Sequence, residues 1–190
     1  MRLADRRLFP DLSQVVVAGH SGGGQMAQRY AVLGQAEATL RAQGTAVRYV
    51  VANPSSYAWF SADRPVEAIV RTCPSYNRWK YGMTDLPPYA ARQDAAALET
   101  RYAARDVVYL LGTLDTNPNH PVLDKSCMGE TQGPYRYARG HAYFASLQTM
   151  FGAKLHQTLH DVPGVGHDGD KMLTSACGLA ALFDIPGCGE

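Results

Sequence analysis

Four short apolar runs punctuate the chain: QVVVA at 14–18, AVRYVVA at 46–52, DVVYLLG at 106–112 and a weaker LHQTLHDV at 155–162. The first three are nearly continuous in apolar residues rather than alternating, as expected of strands buried on both faces of a parallel sheet. Around them the period lengthens to that of amphipathic helices. These cover Gln25 to Leu33 with a continuation to Arg41 before Gly44, Ala90 to Arg105, Tyr137 to Lys154, and Lys171 to Phe183. Strand and helix in alternation at this spacing predict an α/β domain with right-handed crossovers. Residues 54–88 break the pattern: they are rich in Pro, Tyr, Ser and Trp and carry no period. They read as a long excursion over the top of the sheet, a lid or substrate-facing loop. No internal repeat or low-complexity tract is present.

Composition narrows the class. With 190 residues, 46% hydrophobic and 18% charged, the chain can fill one core, and residues 1–190 read as a single domain. A formal net charge of +1, with Lys and Arg scattered, gives no electrostatic reason to expect a nucleic acid or an anionic membrane as partner. No apolar stretch approaches the ~20 residues needed to span a bilayer, and the first ten residues, MRLADRRLFP, lack the apolar centre of a signal peptide. A longer precursor would hide such a signal, so the compartment stays open. Cys73, Cys127, Cys177 and Cys188 show neither CxxC nor Cys/His metal spacing, so no metal is expected; disulfides and plain thiols both remain open.

The chemistry concentrates in GHSGG, Gly19 to Gly23, which fits G-x-S-x-G between the first strand and the first helix. A turn that sharp brings neighbouring residues into collision, so the flanking positions call for glycine, and the serine between them is held in strain with its hydroxyl projecting above the strand end. The competing reading is a glycine turn that cradles phosphate or merely packs closely. The lysine of a phosphate-binding loop and the G-x-G-x-x-G of a dinucleotide site are both missing. A serine hydroxyl is a poor nucleophile alone and needs a base, itself oriented by a third group.

The same architecture predicts an acid and then a histidine after later strands. Asp115 lies just beyond the third strand in DVVYLLGTLD, and His167 lies in the glycine-rich loop of LHDVPGVGHDGD beyond the fourth. The other histidines fit less well. His20 sits inside the turn and faces away from where a base must lie, His156 and His160 fall within the strand, and His120 and His141 precede it. Asp124 and Asp168 compete with Asp115 for the acid, and the bland role for Asp115 is a loop cap beside Thr116 and Asn117.

On GHSGG, the aspartate of GTLD and the histidine of GVGHD, the chain resembles the α/β-hydrolase superfamily. The phrases VRYVVANPSSY, YNRWKYGM, RYAARDVVYLLG and TQGPYRYARG are similar to esterase-like members of that group. The resemblance implies a three-layer α/β-hydrolase-like parallel sheet lacking the N-terminal strands of the full fold, with RLADRRLFPDLSQ as the tail of the preceding helix. It implies a serine hydrolase that cleaves a carboxylic ester or related acyl compound through Ser21, His167 and Asp115, with Gly22 N–H as one oxyanion donor and no metal or organic cofactor. The loop that supplies the second donor in the superfamily has no counterpart in this sequence. A catalytically incomplete or assembly-dependent module is therefore the alternative, and a peptidase or amidase a lesser one. The strand at Gln14 to Ala18 is expected to have an open edge, covered by a second copy or by an N-terminal half.

His20, Asn53, Tyr57, Trp59 and Trp79 are the candidate substrate contacts, the aromatics because they follow the second strand where lids lie in the superfamily. Asn53 is equally suited to capping its turn. Arg136 and Arg139 read as ordinary surface or ion-pair residues of the helix near Tyr137.

Overall fold

The computed structural model describes residues 2–189. Four strands, β1 (Gln14–His20), β2 (Ala46–Ala52), β3 (Asp106–Gly112) and β4 (Gln157–Val162), form one parallel sheet in the order β1-β2-β3-β4. Every crossover carries helix: α1 (Gly22–Leu33) and α2 (Ala36–Arg41) after β1, α3 (Glu67–Val70) and α4 (Ala95–Ala103) after β2, and α5 (Cys127–Glu130) and α6 (Arg136–Phe151) after β3. Beyond β4 come α7 (Gly169–Leu173) and α8 (Ala176–Phe183).

Because strand side chains alternate between faces, the apolar runs feed two cores. Val47, Tyr49, Val51, Val107 and Tyr109 pack on one face against Ala27 and Ala31 of α1, Leu98 and Tyr102 of α4, and Tyr143 and Leu147 of α6. Val50, Ala52, Val108, Leu110 and Val162 pack on the other against Met172, Cys177 and Ala181 of α7 and α8. The result is helix, sheet, helix, the three layers expected of the fold. No helix among the described residues is long and apolar enough to cross a membrane.

Several boundaries differ from the sequence expectation. The helix predicted to run from Gln25 to Arg41 breaks at Gly34, whose backbone turns to an extended ψ of 139°. The carbonyls freed there are taken up from afar: Arg105 donates to Ala31 O and Gly34 O, and Arg101 donates to Val32 O. The helix expected from Ala90 starts at Ala95, where the Asp94 carboxylate accepts from Ala97 N at 2.8 Å as an N-cap. The last helix divides because the Ser175 hydroxyl caps a new start, accepting from Gly178 N. The amino-terminal segment is not the tail of an α-helix: it holds one 3-10 turn, Arg2–Ala4.

The excursion after β2 is also not a lid along its whole length. Asn53 to Phe60 are buried, and Tyr57, Trp59 and Phe60 pack into the first core. Further on, Cys73 is joined to Cys127 at the start of α5, and Cys177 is joined to Cys188 across the end of α8. The four cysteines are therefore two disulfides.

Candidate active site

Ser21 sits between β1 and α1 with φ 57° and ψ −118°, a left-handed conformation that costs a non-glycine residue energy and persists only when its surroundings impose it. Those surroundings are identifiable. Ser21 N donates to Ala52 O at 2.9 Å, which pins the turn to the end of β2. A Cβ on Gly19 would stand 2.2 Å from Gly23 C, and one on Gly24 would stand 2.6 Å from Ala52 O, so α1 can start this close to the sheet only with glycine at those two positions. Gly23, the second glycine of the motif, would accept a Cβ with nothing within 4 Å, so the steric demand falls on Gly19 and Gly24 instead. The N–H of Gly22 opens α1, where the first N–H groups have no partner within the helix.

His167 and Asp115 meet this serine. His167 Nε2 is 2.9 Å from Ser21 Oγ, and His167 Nδ1 is 2.8 Å from Asp115 Oδ2. An ionised carboxylate can only accept, so Nδ1 carries the proton and Nε2 is left to accept from the serine hydroxyl. Both loops are braced by Asn53. Its Oδ1 accepts from Gly112 N at the end of β3, and its Nδ2 donates to Gly166 O beside His167. Asn53 thus spends both side-chain groups on holding the loops together, and the expectation that it contacts substrate is corrected: it is a brace.

The sequence reading missed Arg136. Its guanidinium is fully buried, with Nη1 3.2 Å from Asp115 Oδ1, Nε donating to Ser55 Oγ at 2.8 Å and Nη2 donating to Val122 O at 2.6 Å. Burial alone would raise the Asp115 carboxyl, but the hydrogen bond to His167 and the charge of Arg136 outweigh it, and Asp115 lies below the ordinary carboxylate range. Arg139, one helical turn on, is equally buried and ties Gly133 O, Ser55 O and Asp124 O together. The surface role expected of both arginines is wrong, because the helix start at Arg136 turns that face inward. Two arginines three apart beside Gly133-Pro134 were the available signal.

The other candidates fall into place around this constellation. Asp124 accepts from Tyr81 Oη and Ser126 Oγ, and Asp168 caps α7 by accepting from Lys171 N. Neither reaches His167 by a hydrogen bond. His20 packs its ring 4.7 Å from that of His167, and His120 meets the same ring edge-on at 5.0 Å. Burial, then the charge of His167, pushes the His20 imidazole down to about 4, so it is neutral near pH 7, and its Nε2 is buried without a partner among the described residues. Tyr57 and Trp59, expected to face substrate, are core residues: Tyr57 stacks on Tyr143 at 4.5 Å and Trp59 meets the same ring edge-on at 5.5 Å. Their chain enters the core directly from β2, which no local pattern betrays. Trp79 is half-buried and lines a groove with Met26, Tyr30 and Tyr89 on the outer side of α1.

Among the described residues, His160, Cys177 and Cys188 bring three ligand-type atoms within 4.8 Å of one another. The two sulfurs are joined in a disulfide, which leaves one imidazole and no metal-binding set.

No protein-family model and no curated protein sequence matches this chain. Solved structures do. A poly(aspartic acid) hydrolase from Sphingomonas sp. KT-1 superposes with a TM-score of 0.64 at 26% identity, covering 88% of this chain and 55% of its own. A poly(3-hydroxybutyrate) depolymerase from Bordetella parapertussis superposes at 0.69 with 27% identity, covering 97% of this chain and 55% of its own. This chain thus spans about 55% of the length of either enzyme. With this sheet, this strand-to-helix turn and these neighbours, the chain has an α/β-hydrolase-type fold, similar to that of both hydrolases over the half of their length that it spans.

Proposed function

We propose that the chain is a serine hydrolase that cleaves carboxylic esters, or related acyl bonds, through an acyl-enzyme. The observation that carries this reading is the unbroken hydrogen-bonded path from Asp115 through His167 to a serine on a left-handed turn. Ser21 Oγ attacks the substrate carbonyl while His167 Nε2 takes its proton, and Asp115 holds the imidazolium that forms. The developing oxyanion is met by Gly22 N–H at the start of α1, where the helix dipole also favours negative charge. Collapse expels the alcohol, which receives the proton from His167; water then attacks the acyl-enzyme by the same route in reverse. No step calls on a metal or organic cofactor. The neighbours are named as a poly(aspartic acid) hydrolase and a poly(3-hydroxybutyrate) depolymerase, which favours an acyl polymer or its oligomers as substrate. The ester is preferred over the amide on the resemblance of the sequence to esterase-like members.

A second reading keeps the nucleophile without full activity. It is favoured by the span of the chain, about 55% of either neighbour, because a second oxyanion donor can come from the part that is not matched. Losing one such donor typically costs about a hundredfold or more in rate. A fluorophosphonate probe separates the two. Labelling of the folded chain, abolished in Ser21→Ala and much weakened in His167→Ala, is the outcome expected of an assembled hydrolase. Folded protein that does not label, and does not turn over p-nitrophenyl esters of any chain length, supports the incomplete module.

A further inference from the structure

A second concentration of charge lies away from Ser21, beside the amino-terminal ends of β2 and β3. There a cavity of about 590 Å³ is walled by α2 and α4 and lined by Arg41, Arg101, Arg105, Glu37 and Gln93. Three guanidiniums line it beside one carboxylate, and that carboxylate is fully committed to two of them and a tyrosine. Glu37 Oε1 is 2.6 Å from Arg41 Nε; its Oε2 is 2.6 Å from Arg105 Nε and accepts from Tyr49 Oη at 3.1 Å.

Arg101 is the one left over. Its Nη2 donates to Val32 O and Gln93 Oε1, while its Nε and the Nε2 of Gln93 are buried without an acceptor among the described residues. Burial and the like charge of Arg105 both lower its guanidinium, and Glu37, already shared, is the carboxylate acting on it. Capping the carbonyl end of α1 accounts for Arg105 and for one nitrogen of Arg101. It does not account for a cavity of this size with two cations in excess. Like charges crowded in one cavity repel one another, and an anion bound there offsets that excess.

We propose that this cavity binds a small organic carboxylate, its charge paired with Arg101 and Arg41. Its apolar body lies on Ala38, Ala104 and the arginine methylenes, which also line the cavity. Bare phosphate fills only a fraction of that volume and leaves those surfaces wet.

Calorimetric titration of the Ser21→Ala chain with benzoate, benzamide and inorganic phosphate tests this. Benzoate is expected to bind with a Kd in the millimolar range or tighter, phosphate more weakly, and benzamide not measurably. Arg101→Met is expected to weaken benzoate about tenfold or more, as is Arg41→Ala, whose half-exposed side chain can be removed with little threat to folding. Absence of benzoate binding, equal binding of benzamide, tighter binding of phosphate, or benzoate affinity unchanged in both folded variants overturns the proposal.

Discussion

Asp115 divides its two oxygens between a base and a buried cation, and the balance between them sets an acid limit for the proposed chemistry. Arg136→Gln removes the cation, so the Asp115 carboxyl rises and its ionised form is lost at higher pH. The acid limb of kcat/KM is expected to move upward, with a fall of about tenfold to a hundredfold at pH 7 from the incompletely paired carboxylate. Arg136→Lys should return part of the limb, since it restores charge without the guanidinium fork. His20 gives a second residue-scale outcome. Its folded value, about 4, lies below the ~6.5 of an unfolded histidine, so the unfolded chain binds the proton first. Stability is therefore complete above about pH 6.5 and is lost as pH falls toward 4. Urea midpoints should fall over that window in the native chain and fall less in His20→Asn. That Ser21, His167 and Asp115 come together was legible in the sequence because each stands just past a strand, at one end of the sheet. Arg136 was not, since its burial depends on α6 closing over β3 and on Ser55 arriving from the other side, neither of which is written locally.

At the scale of elements, the turn around Ser21 rests on backbone contact. Gly19→Ala and Gly24→Ala drive a Cβ into backbone atoms and are expected to cost about 1–3 kcal/mol and to abolish probe labelling. Gly23→Ala meets open space and should leave both stability and labelling near native, a contrast read directly by chemical denaturation. The Cys73–Cys127 bond closes a loop of sequence separation 54, for which chain entropy predicts about 4 kcal/mol of stabilisation. Cys73→Ser with Cys127→Ser should lower the denaturation midpoint accordingly, and reductant should do the same to the native chain. All four strands were legible from their apolar runs. The helix ends were not read correctly: Asp94 and Ser175 are local caps masked by a stronger periodicity, whereas the carbonyls freed by the break at Gly34 are taken up by two arginines about seventy residues on.

For the whole molecule, β1 is the feature that matters. It pairs with β2 on one side and with no other strand among the described residues, and Val15 to Val17 lie along it with neither lysine nor proline to discourage pairing. The far edge, β4, is guarded differently, with Asp161 bonded to Tyr137 and His141. Sedimentation of the chain is expected to show association that rises with concentration and falls in Ala18→Lys, an exposed position on β1. The three groups that would pass a proton during turnover follow β1, β3 and β4, so that relay is internal to these 190 residues. Under the proposed function, a polypeptide docked along the open edge of β1 would need only to solidify the walls and stabilise the oxyanion. If one is supplied in trans, it should accelerate ester turnover while the probe still marks this chain alone.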